Sequence, residues 1–170
     1  MDLIDELLKD SVADLNISAL LRKARVLASE LKIDDFESWI SYELNGYENN
    51  VPQYRKIRGE LKFHNPVRGW CPILFPDTES DKICSTLPIG QKIAEIESLC
   101  GSKGTLGVKI SPEQRAMLLT DDMDRYEVKL FVDRAALHGI IDSVKNTLQE
   151  WVLNFLVFSK LLLKRKAEVR

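Results

Sequence analysis

Apolar residues recur at helical intervals near both ends of the chain and alternate singly in its middle. Residues 2 to 15 place Ile4, Leu8, Val12 and Leu15 at helical spacing, with Leu3 and Leu7 beside them. Acidic residues crowd the first turn of this stretch, where the helix dipole favours them. A second helix is expected from about Ser18, with Leu20, Ala24, Leu27 and Leu31 on its apolar face. A third opens at Asp34, with Glu37 three residues later as a capping-box partner. Phe36, Trp39, Ile40 and Leu44 form its buried side. Asn45-Gly46 then supplies the left-handed exit that ends many helices.

The middle of the chain changes character. Every proline, and every glycine except Gly139, lies between residues 46 and 112. Leu61 and Phe63 alternate with Glu60, Lys62 and His64, as in a strand with one buried face. Leu106, Val108 and Ile110 repeat the pattern, and so do Tyr126, Val128, Leu130 and Val132. Cys71 to Phe75 adds a fourth strand, which Pro72 and Pro76 confine to an edge. A helix is expected from Ile89 to Cys100, stopped by Gly101, and Ser111-Pro112 with Gln114 starts a shorter one.

The last segment is the most regular. Leu137, Ile141, Val144, Leu148, Trp151, Phe155, Phe158 and Leu162 follow alternating steps of four and three, the spacing of a heptad seam. Asp133 stands where it can cap the start. The order of elements predicts an α+β fold in a single domain over residues 1–170. Residues 1–47 are helical, 48–132 mix strands with short helices into a small, mainly antiparallel sheet, and 133–168 form one long helix packed against the N-terminal helices.

A chain of 170 residues can bury one sizeable core, and 45% hydrophobic with 29% charged residues is the range of an ordinary globular protein. Net charge is -2, so no global field favours nucleic acid as a partner. The charge is uneven: residues 1 to 15 are acidic and residues 160 to 170 basic. Cys71, Cys84 and Cys100 lack the spacing of a zinc site and suit a reducing cytoplasm as free thiols. The acidic start is unlike a signal peptide, so the expected location is cytoplasmic.

Candidate chemistry is sparse. A nucleophile needs a base to activate it. With only His64 and His138 present, Cys71 or Cys84 beside His64 is the available pairing, without an elbow or oxyanion signature. Asp34-Asp35-Glu37 reads as a helix cap. Asp121-Asp122-Asp124 lacks the glycine and distal glutamate of a calcium loop and reads as a solvated turn. Gly101-Ser102-Lys103-Gly104 follows a helix and precedes a strand, the reverse of a phosphate-cradling loop, and reads as a helix stop or hairpin. No catalytic residue, metal or cofactor is assigned. The segment "ELNGYENNVPQYR", residues 43 to 55, gathers aromatic and basic side chains after a helix end. Tyr47, Tyr54, Arg55 and Arg58 are its candidate recognition residues. The structural alternative packs both tyrosines back on the helices and pairs Arg55 with Glu43.

That segment also carries a resemblance. "LRKARVLASE", ending at Glu30, leads to Trp39-Ile40, to "ELNGY", and on to Pro52 and Tyr54-Arg55. "LPIGQKIAEIESL", residues 87 to 99, and "DSVKNTLQEWVLNF", residues 142 to 155, follow in order. This succession resembles the AbiTii domain of bacterial abortive-infection proteins, and it covers most of the chain. The resemblance implies antiviral defence, often through a domain joined to a separate effector, and brings no catalytic mechanism. The expected function is a non-enzymatic, self-associating module acting by assembly, sensing or effector delivery. Its interface would be Ile141, Val144, Leu148, Trp151, Phe155, Phe158 and Leu162, and its partners a second copy and an effector or toxin. The alternative is a toxin whose apolar C-terminal helix meets the membrane, with Lys164, Arg165 and Lys166 attracting anionic lipid.

Overall fold

Three helices open the chain: α1 (Leu3–Val12), α2 (Ile17–Leu31) and α3 (Asp34–Asn45). Strands β1 (Lys56–Arg58), β2 (Glu60–Asn65) and β3 (Gly69–Pro72), helix α4 (Thr78–Cys84), β4 (Thr86–Pro88) and α5 (Ile93–Cys100) come next. Strand β5 (Thr105–Lys109), α6 (Pro112–Met117), β6 (Val128–Asp133) and the long α7 (Ala135–Glu168) complete the chain. The computed structural model describes residues 3–13, 15–101, 104–118 and 125–168, with side chains as far as residue 158. The chain divides into two compact units. One is drawn from Met1–Asn49, Gly90–Ser98 and Gly139–Arg170, the other from Asn50–Ile89 and Leu99–His138. The α+β class and the long C-terminal helix are as the sequence predicts.

The first unit is helical. Its core is built on Phe36, whose ring is fully buried. That ring stacks on Trp39 and Trp151 at 6.0 and 4.8 Å and meets Phe155 edge-on at 5.4 Å. The N-terminal helices therefore pack on α7, as expected. The inward side of α1 differs from the expected one. It buries Ile4, Leu7 and Ser11, while Val12 is 77% exposed. Ser11 tolerates burial because its hydroxyl donates to Leu8 O, and Gln149 of α7 donates to its carbonyl. A leucine-rich stretch fits two helical registers, and this pair of hydrogen bonds belongs to only one of them. Lys23 of α2 bridges Glu6 and Asp10 of α1. Glu97 of α5 accepts the Ile17 amide and the Ser18 hydroxyl, satisfying donors that the first turn of α2 leaves unpaired. The cap of α2 is Asn16, whose side chain accepts from Ala19 N.

Two helix ends depart from expectation. No capping box opens α3: Ile33 is its N-cap without a side-chain bond, and Asp34 is already helical. Asp34, Asp35 and Glu37 then act through the helix dipole alone. The left-handed exit occurs at Lys32 after α2, with φ 53 and ψ 51. Gly46 instead takes φ 94 and ψ 166, an extended mirror-image conformation that only glycine adopts readily. A Cβ there would stand 2.8 Å from Gly90 O. The backbone needs that closeness, because Tyr47 N donates to the same oxygen at 2.8 Å.

The second unit holds a four-stranded antiparallel sheet in the order β3-β2-β6-β5 and a two-stranded ladder of β1 with β4. Leu61, Val128, Leu130 and Val132 fill one face of the larger sheet. The edge strand expected over Cys71 to Phe75 is β3, at the edge as predicted but shifted to Gly69–Pro72, so that Ile73 to Phe75 lie beyond it. The expected capping box at Ser111 and Gln114 is formed, and Gln114 also donates to Cys84 O and Thr86 O. Asp133 accepts from Ala135 N at the start of α7, as expected. The helix expected from Ile89 begins only at Ile93, because Ile89 N pairs with Arg55 O beyond the end of the ladder. Strands β1 and β4 have three residues each, too short for alternation to register. Helix α4 carries no apolar repeat and starts on an Asp77 cap. The Asp121-Asp122-Asp124 turn and Ser102-Lys103 lie outside the described residues.

Gly59 is the second glycine the backbone requires. Its Cβ would stand 2.7 Å from Phe131 O and 2.9 Å from the side chains of Leu130 and Val132. Replacing either Gly46 or Gly59 with alanine should lower stability by about 1–3 kcal/mol, from strain at the first and overpacking at the second. Urea unfolding midpoints check this, with Gly139→Ala in α7 as the contrast: nothing lies within 4 Å of a Cβ there, so it should raise stability by about 0.5–1 kcal/mol.

Candidate functional site

The four residues expected on a recognition loop have separate roles. Tyr47 is tied to the helical unit: its hydroxyl donates to Glu43 Oε1 at 2.7 Å, and its ring stacks on Tyr42 at 5.4 Å. Tyr54 is half-buried in the 3-10 turn Gln53–Arg55 of the other unit. Arg55 is fully enclosed, its guanidinium donating to Ile89 O at 3.1 Å. A buried arginine fixing a backbone carbonyl is a structural element, so Arg55 is withdrawn from any recognition surface. Arg58 is the exposed member and pairs with Asp81 at 2.7 Å. The Asp81 carboxyl is held below the ordinary carboxylate range, first by the Ser85 hydroxyl and then by Arg58.

The thiols and histidines do not assemble either. Register places Cys71 opposite Phe63 and Trp70 opposite His64. Neighbouring residues of a strand point to opposite faces, so Cys71 and His64 face away from each other. Cys84 is buried, and burial pushes its thiol pKa up, the reverse of nucleophile activation. His138 is exposed. Among the described residues no group of three His, Cys, Asp or Glu could hold a metal ion.

The heptad seam of α7 is divided. Val144 and Leu148 are fully buried within the chain's own fold, and Ile141 is half-buried. Trp151 and Phe155 pack on Phe36. Val144 and Leu148 are closed to a second copy by the chain's own fold, while Ile141, Trp151 and Phe155 keep part of their surface exposed. Phe158 continues the seam and is 63% exposed. Leu153 at 50% and Val157 at 59% lie one turn apart on the far side of the helix from Leu148. The Leu162 side chain lies outside the described residues.

A cluster that the sequence pattern left unremarked occupies the outer face of the larger sheet. Lys129 on β6 stands opposite Lys62 on β2 and opposite Lys109 on β5. Opposed residues of an antiparallel pair share a face, so three lysines form one row across three strands. Trp70 meets Phe131 edge-on at 4.9 Å, and His64 meets Trp70 at 5.2 Å. The Lys62 ammonium lies 5.4 Å from the Phe131 ring centre, and that of Lys129 lies 5.1 Å from the Trp70 ring centre. Glu60 and Glu127 bridge Lys62 and Lys129 at 2.8 Å each. Glu127 is held below the ordinary carboxylate range, first by its hydrogen bond from Lys129, with the charges of Lys129, His64 and Lys109 adding to the pull. The signal for this cluster is present in the alternation of β2 and β6, but cross-strand register is needed to assemble it.

These features define a small α+β protein with two uncommitted surfaces, an apolar helix end and a cationic aromatic sheet face. The chain belongs to the AbiTii family, whose model matches residues 2–156. No curated protein and no solved structure matches it. Family membership supports a role in abortive infection, a bacterial defence against phage.

Arg55→Ala should cost on the order of 2–4 kcal/mol in urea unfolding, through lost packing and a stranded carbonyl. Arg58→Ala should stay within about 1 kcal/mol, as an exposed pair. Asp81 titrates below its ordinary value in the fold, so it stabilises the fold above the ordinary carboxylate range. That contribution fades as pH falls through its lowered value. Ser85→Ala removes the main cause and should move the acid unfolding midpoint, followed by circular dichroism below about pH 4, upward.

Proposed function

We propose that the protein is a non-enzymatic, self-associating module of a bacterial abortive-infection system, acting by assembly, sensing or delivery of an effector protein. The observation that carries this reading is the end of α7. There Leu153, Val157 and Phe158 are exposed on more than one side of a helix that buries Leu137, Ile140, Val144, Leu148 and Val152. A helix apolar on several sides needs cover on several sides. A second copy offers the same surface in return, which a two-fold interface requires. No helix among the described residues is long and apolar enough to cross a membrane. The separation of His64 from Cys71 and the unactivated Cys84 thiol support a module without catalysis of its own. Three free cysteines suit work in a reducing cytoplasm.

Mass measurement by light scattering tests the reading. The unaltered protein should be a dimer or larger at micromolar concentration. Val157→Glu with Phe158→Glu should give a monomer with an unchanged melting temperature. Phe155 is unsuited to this test, because its ring packs on Phe36 and a charge there would disturb the core. A monomeric unaltered protein that binds anionic vesicles would replace self-association with membrane contact.

A further inference from the structure

We propose that the outer face of the four-stranded sheet binds single-stranded nucleic acid, with Trp70 and Phe131 stacking on unpaired bases and Lys62, Lys129 and Lys109 facing the phosphates. This rests on no part of the self-association reading.

The first observation is the lysine row. Like charges directly opposite each other across strands destabilise a sheet, and here Lys129 opposes a lysine on both sides. Glu60 restrains Lys62 and Glu127 restrains Lys129. Lys109, which also bears on Glu127, shares that one carboxylate with Lys129. Two carboxylates thus face three lysines, and an anion lying across the strands would be held by all three.

The second observation is the placing of the rings. The backbone positions of Trp70 with His64 and of Phe131 flank the lysine row, and the Trp70 and Phe131 rings meet edge-on across it. Gly107 stands opposite Phe131, whose ring passes 3.5 Å from where a glycine Cβ would be. Rings interleaved with cations match a ligand that alternates flat bases with phosphates. A duplex keeps its bases stacked inside and cannot offer them to Trp70, so the ligand is single-stranded. An acidic peptide or a lipid surface would meet the lysines and offer the rings no flat partner to stack on. The net charge of -2 describes the whole chain and is indifferent to this local row.

Fluorescence anisotropy with labelled oligouridine, oligothymidine and a duplex of equal length tests the proposal on the full chain. Both single strands should bind at micromolar concentration and the duplex markedly more weakly. Tighter binding of the RNA would assign a contact to the ribose hydroxyl, and equal binding a platform blind to the sugar; both outcomes support the site. Trp70→Ala should weaken single-strand binding by about tenfold or more. Lys109→Gln should reduce the slope of log affinity against log salt by about one, while leaving the melting temperature unchanged or raised. A lysine serving only solubility would show no such pairing of weaker binding with equal or better stability. Absence of single-strand binding, equal affinity for the duplex, or a folded Trp70→Ala variant that binds as tightly as the unaltered protein would overturn the proposal. Should Trp70→Ala fail to fold, Lys109→Gln decides alone, since its site is exposed.

Discussion

The helical unit depends on one ring. Phe36 is buried completely and packs on Trp39 of its own helix and on Trp151 and Phe155 of α7. Truncating such a ring typically costs about 3–5 kcal/mol, and each well-oriented aromatic pair adds roughly 0.5–1.5 kcal/mol beyond its area. The cluster joins residues far apart in sequence, so it sets where α7 lies along α3. Once α7 is placed, Gln149 meets the carbonyl of Ser11 and that serine becomes part of the core. The same placement decides which apolar residues of α7 are consumed by the fold and which are left over.

That division explains why the heptad misleads as a guide to partners. An unbroken repeat reports that a helix has a continuous apolar stripe and is silent on what covers it. Here Val144 and Leu148 are enclosed, Trp151 and Phe155 meet Phe36 while half-buried, and among the described seam positions Phe158 is the most exposed. Leu153 and Val157 belong to a different face and were not seam positions at all.

Long periodic segments were legible in the sequence because periodicity is a local property of the chain. The class of fold, the four longer strands, the Ser111 capping box and the long final helix all follow from it. Features set by contact between distant residues were not legible. Val12 has the right spacing for α1, yet Ser11 is buried because Gln149 reaches it. Gly46 reads as a left-handed cap, yet its conformation answers to Gly90. Arg55 looks like a surface cation, yet its guanidinium closes on the Ile89 carbonyl. The sheet face is the extreme case. Each of its lysines sits at an ordinary outward position of its own strand, and only the register of β5 and β2 on β6 puts them in line.

Sequences that fold well tend to agree with themselves at every level, and departures concentrate at sites selected for something other than folding. Two departures stand out here. The end of α7 exposes apolar side chains that water disfavours, and β5, β6 and β2 align like charges that repel. Neither can be explained as support for the core, because Phe36 and the buried face of the sheet already supply it. The two also differ in what would relieve them. Apolar exposure is relieved by another apolar surface, and a lysine row by an anion, so a single partner chemistry does not satisfy both.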